Sequence, residues 1–178
     1  MTLLRIVKAV ITISVFGFLY SGISNAQARV LPEFTQQDSS QWINSDAISV
    51  ADLQGYVVLI DVWTFECWNC YRSFPWLNDL EKRYSDKGLK IIGIHTPEFS
   101  REKVLATIKQ KVTEFKLHHP VMVDNDMAYW RALNNRYWPA FYIVDKKGNI
   151  RTVAVGETHS GDRNAVKIES TIKTLLAE

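Results

Sequence analysis

Residues 56–70 read YVVLIDVWTFECWNC, and this stretch decides the fold. Residues 56–63 are apolar and rich in β-branched side chains except for Asp61, a pattern typical of a strand buried on both faces of a parallel sheet. Cys67 and Cys70 follow after a short connection, and apolar side chains then recur at helical spacing. A Cys-x-x-Cys pair between a buried strand and a helix indicates redox chemistry.

Outward from this stretch, strands and helices alternate along the chain. Further strands are predicted over residues 41–44, 89–95, 120–123, 140–145 and 149–155. Helices are predicted over residues 67–87, 100–115, 126–133 and 162–176, with Val104 on the apolar face of the second. Residues 29–38 are expected to be an irregular lead-in. This order predicts an α/β fold with a mainly parallel sheet covered on both faces, and a late hairpin that adds antiparallel strands at one side.

The chain contains only two cysteines, and two residues separate them. A disulfide across so short a loop restricts the unfolded chain very little, so a chemical role is favoured over a structural one. The helix N-terminus favours a thiolate at Cys67, which is the nucleophile, while Cys70 lies one turn inside. We therefore expect Cys67 to attack a substrate disulfide and Cys70 to resolve the mixed disulfide. A static disulfide or half of a metal site is the alternative.

Residues 1–28 are interpreted as a cleaved signal peptide. Arg5 and Lys8 precede an apolar run over residues 9–20, and an A-x-A pattern ends at Ala28. The run is short for a membrane span, which needs about 20 residues, but an uncleaved anchor is the alternative. Residues 29–178 would then form one exported, periplasmic domain without a membrane span. Lys and Arg total 21 and Asp and Glu total 19 in the whole chain. Without Arg5 and Lys8, residues 29–178 carry equal numbers of basic and acidic side chains, so no nucleic-acid partner is expected.

Several separate positions resemble the thioredoxin superfamily. Asp61 and Trp63 stand six and four residues before Cys67, where thioredoxins carry a buried Asp and a Trp. Pro75 stands five residues after the second cysteine, at the place of the thioredoxin helix proline. Pro139 matches the family's cis-proline, which faces the cysteines. The resemblance therefore implies a thioredoxin-like fold with a central mixed sheet flanked by helices, a cis bond before Pro139 and a catalytic role for this proline.

The spacing narrows the resemblance to one branch. Cys70 and Pro139 lie 69 residues apart, which is beyond the interval of plain thioredoxins. A helix-plus-strand insertion of this kind resembles the TlpA-like and redoxin branch, in particular the thioredoxin-like domain of DipZ-type proteins. The resemblance covers roughly residues 45–177 and is carried by DVWTFECWNC, GIHTPEFSREK, HHPVMVDND and WPAFYIVDKKGNI. DipZ-type proteins join this domain to a membrane electron-transfer domain, so a separate membrane electron donor is expected here.

The resemblance also implies roles for individual side chains. Asp61 would accept the proton of Cys70, although a hydrogen-bonded structural Asp is the alternative. Glu66 is a second candidate for proton transfer, and Glu98 is of interest only through the resemblance. Substrate contacts are expected at Trp68, Asn69 and Trp138.

The predicted function is an exported thiol:disulfide oxidoreductase that reduces disulfides of exported partner proteins. Its only redox group would be the Cys67–Cys70 disulfide, without a bound cofactor or metal. A copper metallochaperone is one alternative, because two thiolates and a distant His can hold Cu(I). A thiol peroxidase is another, because Thr64-x-x-Cys67 is similar to a peroxiredoxin motif, although Ile60 replaces its proline.

Overall fold

The computed structural model describes residues 29–178, and the predicted signal peptide at residues 1–28 lies outside this range. Strands are β1 (Arg29–Val30), β2 (Trp42–Ile43), β3 (Val57–Trp63), β4 (Leu89–His95), β5 (Val121–Val123), β6 (Ala140–Val144) and β7 (Asn149–Val155). Helices are α1 (Trp68–Tyr84), α2 (Leu105–Glu114), α3 (Ala128–Ala132) and α4 (Arg163–Ala177). Short 3-10 helices are Ser39–Gln41, Ala51–Leu53, Ser85–Lys87 and Ser100–Lys103. None of the helices in the described range is long and apolar enough to cross a membrane.

All seven strands belong to one mixed sheet with the order β1-β7-β6-β3-β4-β5-β2. Strand β3 is the central strand, and all of its residues are buried, as expected for a strand covered on both faces. It pairs in parallel with β4 and antiparallel with β6. The α/β class and the buried central strand predicted from the sequence are therefore confirmed.

The central mixed sheet flanked by helices that the resemblance implies is confirmed, whereas the mainly parallel sheet predicted from the order of the elements is wrong. Parallel pairing is confined to β3, β4 and β5, and antiparallel strands lie on both sides of them. On one side β2 returns to pair with β5, and on the other β1 pairs with β7. Residues 29–30 are thus a strand within the segment predicted to be irregular. Local sequence did not reveal these pairings, because each is only two residues long and its partner is distant along the chain.

The two faces of the sheet are covered by different elements. Side chains of a strand alternate between its faces, so Asp61 shares a face with Leu59 and Trp63. That face packs against α1, α2 and α4 in a hydrophobic cluster that includes Cys70. The opposite face is covered by the lead-in, the turn at Ala51–Leu53 and α3. Asp61 therefore lies on the same side of the sheet as the buried cysteine.

The predicted insertion between the first helix and the cis-proline is present, but its helix is divided. Ser100–Lys103 forms a separate 3-10 helix, and Val104 adopts an extended conformation before α2 begins. Val104 is 53% exposed, so its predicted place in the core is wrong. The break has a local cause: the side chain of Glu102 accepts hydrogen bonds from the backbone N–H groups of Glu98 and Phe99, which closes the first turn on itself.

Candidate redox site

Cys67 and Cys70 lie at the start of α1, directly after the central strand, and form a disulfide with a Cα–Cα distance of 5.2 Å. Cys67 is the N-cap residue of the helix and is partly exposed, whereas Cys70 is fully buried. This is the division of access expected from the sequence. A partner can reach Cys67 from solvent, whereas Cys70 has no solvent exposure.

The first turn of α1 directs hydrogen-bond donors at Cys67. The backbone N–H of Cys70 donates to Cys67 Sγ at 3.1 Å, and the N–H of Tyr71 donates to the Cys67 carbonyl at 3.1 Å. A helix N-terminus carries positive partial charge, so a sulfur at the N-cap is stabilised as a thiolate. The site therefore favours the nucleophilic form of Cys67 once the disulfide is reduced.

Pro139 directly precedes β6, and the Trp138–Pro139 peptide bond is cis, as predicted. The half-buried indole of Trp138 is held in place by its neighbours. Its Nε1 donates to the Thr96 carbonyl at 3.0 Å, and its ring packs on Trp130 with a centroid distance of 4.1 Å. Trp138 thus presents a fixed apolar edge beside the cysteines.

Asp61 is an isolated buried acid. It is 1% exposed, and neither carboxylate oxygen has a hydrogen-bond partner among the described residues. Burial without compensation raises the pKa of Asp61 to about 8. The sequence predicted both the burial and the direction of the shift, and the alternative of a hydrogen-bonded structural Asp does not fit this environment.

Glu66 has the opposite environment, at the surface. Its carboxylate forms an ion pair with Arg101, whose Nε donates to Oε1 at 2.6 Å. The Arg101 side chain lowers the pKa of Glu66. A carboxylate that holds its proton so weakly is a poorer proton acceptor than Asp61.

Glu102 is the main polar residue of the site that the sequence interpretation missed. It is fully buried, and its two oxygens accept four hydrogen bonds, two of them from residues 64–66 in the loop before Cys67. A weak signal was present, because Glu102 is the third helical residue after Phe99, the position of a capping-box acid.

His95, at the end of β4, is a second buried polar group near this loop. Its Nε2 lies 3.4 Å from Thr64 Oγ1, and its ring packs between Trp63 and Phe65. Desolvation lowers the pKa of His95 to about 3, so the imidazole is neutral at physiological pH. It therefore contributes no charge to the site.

The surface around Cys67 is aromatic. A shallow depression beside it contains all three predicted substrate-contact residues, and Trp68 is 66% exposed. Its lining is Glu66, Cys67, Trp68, Asn69, Glu98, Arg136, Tyr137 and Trp138. Tyr137, 60% exposed, was not singled out from the sequence. Across residues 29–178, no group of three or more His, Cys, Asp or Glu side chains is placed to hold a metal ion.

Comparison with known proteins agrees with this geometry. The sequence model of the AhpC/TSA family matches residues 28–153. Protein DipZ of Mycobacterium tuberculosis is 38% identical over 138 residues, which are 76% of this chain but 19% of DipZ. The thiol-disulfide oxidoreductase YkuV of Bacillus subtilis is 27% identical over 148 residues, which are 83% of this chain and 95% of YkuV.

The fold has counterparts among solved structures. A solution structure of a thioredoxin-like protein in its oxidised form superposes with a TM-score of 0.70 at 26% identity, covering 84% of this chain and 96% of that one. The thioredoxin-like fold expected from the sequence is therefore confirmed. The chain spans about a fifth of the length of the DipZ protein it matches.

Proposed function

The chain belongs to the AhpC/TSA family, and from this premise we propose that it is a thiol-disulfide oxidoreductase that reduces disulfides of partner proteins through Cys67 and Cys70. The observation that carries the proposal is the disulfide itself, which joins a partly exposed cysteine at a helix N-cap to a fully buried cysteine in the first turn. Such an arrangement supplies one attacking and one resolving sulfur.

In the first step, the Cys67 thiolate attacks one sulfur of a substrate disulfide. A bond forms between Cys67 Sγ and that sulfur, and the substrate disulfide breaks with release of one substrate thiolate. The product is a mixed disulfide between the protein and its substrate. The donors at the start of α1 lower the free energy of the thiolate that begins this step.

In the second step, Cys70 attacks Cys67 Sγ and releases the remaining substrate thiolate. Cys70 must first lose its proton, and its complete burial keeps bulk water from taking it. Asp61 lies on the same face of the sheet and is assigned as the proton acceptor. An acceptor with a pKa of about 8 is well matched to a thiol, because efficient transfer needs comparable proton affinities. The cycle reduces the substrate by two electrons and leaves the Cys67–Cys70 disulfide.

Turnover then requires a donor that reduces this disulfide again. We assign that role to a separate membrane electron donor, and place the protein in the periplasm or an equivalent exported compartment after removal of residues 1–28. The substrates are exported proteins with disulfides. No cofactor beyond the cysteine pair enters the cycle, since both electron transfers occur between sulfur atoms.

Substrate contact is assigned to the rim around Cys67. Trp68 and Asn69 lie between the two cysteines, and Trp138 lies across the depression. The exposed indole of Trp68 offers apolar area to the segment that flanks a substrate cysteine. The ring of Trp138, held by Thr96 and Trp130, lines the same depression.

Two measurements test this function. Reduced protein mixed with a disulfide-bonded peptide should lose two thiols for every two that the peptide gains, and an absence of exchange would contradict the proposal. The midpoint potential of the pair decides the direction of electron flow. A midpoint potential of about −270 mV is expected of a reductase, and one of about −120 mV would make the protein an oxidant.

A thiol peroxidase is the second candidate, because the family match accompanies the Thr64-x-x-Cys67 spacing. The hydroxyl of Thr64 donates to Glu102 at 2.5 Å, so it is engaged away from Cys67. Peroxide consumption by the reduced protein that exceeds disulfide exchange would favour this candidate. A stable Cu(I) complex of the reduced protein would instead favour the metallochaperone.

A further inference from the structure

We propose that Glu102 is a positioning residue that fixes residues 64–66 and thereby holds Cys67 in place at the N-terminus of α1. The inference rests on the proposed function of Cys67 as the attacking thiolate. It concerns a side chain of the insertion, 35 residues beyond Cys67 in the chain. The argument depends on which donors each of its two oxygens accepts.

One oxygen of Glu102 has a purely local role. Oε2 accepts the backbone N–H groups of Glu98 and Phe99, each at 2.7 Å. These bonds cap the 3-10 helix Ser100–Lys103, as an acid at this position does in a capping box. A cap of this kind needs only one carboxylate oxygen and accounts for nothing outside the insertion.

The other oxygen reaches across to the active-site loop. Oε1 accepts the Thr64 hydroxyl at 2.5 Å and the backbone N–H of Glu66 at 3.0 Å. Glu66 is the residue directly before Cys67, and the N–H of Cys67 in turn donates to the Thr64 carbonyl at 3.3 Å. Oε1 of Glu102 therefore holds both ends of the short turn formed by residues 64–66.

Arg101, which precedes Glu102, also attaches the 3-10 helix to the loop, from the solvent side. Arg101 forms its ion pair with the side chain of Glu66, so two consecutive residues of the 3-10 helix hold one loop residue. Arg101 is largely exposed, and exposed ion pairs contribute little. The buried bonds of Glu102 thus dominate the attachment of the loop.

Only a carboxylate satisfies all four donors. A Gln at position 102 has one accepting oxygen and one donating NH₂ group. If the oxygen of this Gln accepts from Glu98 and Phe99, its NH₂ group faces residues 64–66. The NH₂ group can donate to a rotated Thr64 hydroxyl, but it cannot bond to the N–H of Glu66, because both groups are donors. Glu102→Gln therefore keeps the shape and the local cap, and breaks the bond nearest to Cys67.

The test is the pH dependence of Cys67 alkylation by iodoacetamide, measured on the reduced full chain in a Cys70→Ser background. This readout needs no protein partner, so it separates the positioning role from the proposed activity. Glu102→Gln should loosen the turn and weaken the contact of Cys67 with the helix N-terminus. Its alkylation rate at pH 7 should fall roughly two- to fivefold, with the profile displaced to higher pH.

Two further variants separate position from charge and guard against misfolding. Glu102→Asp keeps the charge but shortens the reach, and should move the profile in the same direction. Thr64→Val removes one donor and should move it less. The charged groups beside Cys67, which are Glu66, Glu98, Arg136, Arg101 and Glu114, are unchanged in all three.

The matched control is Glu169→Gln. Glu169 also accepts hydrogen bonds from a partly buried position, from Trp76 and Arg83, but it lies on α4 and touches neither the loop nor the insertion. It should leave the alkylation profile unchanged. An unshifted profile in both Glu102 variants would overturn the inference, and so would a profile displaced to lower pH in Glu102→Gln, since loss of a nearby negative charge alone has that effect.

Discussion

Two buried carboxylates, Asp61 and Glu102, lie in opposite environments. Asp61, on the central strand, has no hydrogen-bond partner among the described residues, whereas Glu102, in the insertion, accepts four hydrogen bonds. Burial alone therefore does not determine what an acid does. The two acids differ in the number of hydrogen-bond donors directed at them, which is none for Asp61 and four for Glu102.

The comparison assigns the two steps of exchange to different parts of the fold. An unpaired buried carboxyl is costly when charged, so Asp61 holds a proton readily and can take one from Cys70. The two oxygens of Glu102 accept four hydrogen bonds, so in our proposal Glu102 provides a fixed anchor for the loop before Cys67. In the proposed cycle, the central strand supplies the proton acceptor and the insertion fixes the position of Cys67.

The largest effect on stability should follow from replacing Glu102, the acid that accepts four hydrogen bonds. Glu102→Leu leaves the buried Thr64 hydroxyl and the backbone N–H groups of Glu66, Glu98 and Phe99 without their acceptor. We expect the free energy of unfolding to fall by about 3–5 kcal/mol, as for other buried polar groups that lose a charged partner. Urea denaturation measures the loss of unfolding free energy. A loss smaller than about 1 kcal/mol would contradict the contrast between Glu102 and Asp61.

The second effect is the pH dependence of stability that Asp61 causes. The pKa of Asp61 is raised on folding, to about 8, so the unfolded state ionises first and stability falls as pH rises from about 4 to about 8. Relative to Asp61→Asn, the parent should lose about 2–3 kcal/mol between pH 5 and pH 7. His95 acts below about pH 6.5 in the other direction, but it is present in both proteins and cancels in the difference. Parallel stability curves for the two proteins would contradict the shift.

The third effect is kinetic. Asp61→Asn preserves shape but removes the base, so attack by Cys67 should be nearly unchanged and resolution by Cys70 should slow roughly tenfold or more. Stability at pH 7 should be unchanged or higher, because a buried unpaired acid is lost. Single-turnover kinetics with a disulfide peptide resolves the two steps. Equal resolution rates in the two proteins would make Asp61 structural.

The smallest effect is expected at the surface acid. Glu66→Gln removes an exposed ion pair with Arg101, which should change the free energy of unfolding by less than about 1 kcal/mol. Resolution of the mixed disulfide should proceed at the parental rate, because a carboxyl with a lowered pKa is a weak base. If resolution slows here and remains normal in Asp61→Asn, the proton acceptor is Glu66.

The sequence predicted the parts of the molecule that depend on local pattern. The apolar run of β3, the Cys-x-x-Cys pair and the cis bond before Pro139 all follow from short-range signals or from family motifs. Asp61 was predictable for the same reason, because an acid within a buried strand cannot reach solvent. The other residues of β3 are apolar and buried, so they offer the carboxylate of Asp61 no side-chain hydrogen bond.

Glu102 was not predictable in this way. It lies in the polar stretch Ser100–Lys103, which has no apolar periodicity to mark a buried residue. Two of its donors belong to residues 36 and 38 positions earlier, and only the folded chain brings them together. Strand β1 escaped detection on similar grounds, and so did the pairing of the predicted strand β2, since the partners of both strands are remote along the chain.

The most direct test of the account is a trapping experiment with the two cysteine variants. With Cys70→Ser, the mixed disulfide at Cys67 cannot be resolved, so partner proteins should accumulate in complexes that thiol reductants release. With Cys67→Ser, the remaining sulfur is buried and little should be trapped. Mass spectrometry of the two sets of complexes makes the comparison. Abundant trapping by Cys70→Ser alone is the predicted result, and equal trapping by both variants would contradict the assignment of an attacking and a resolving cysteine.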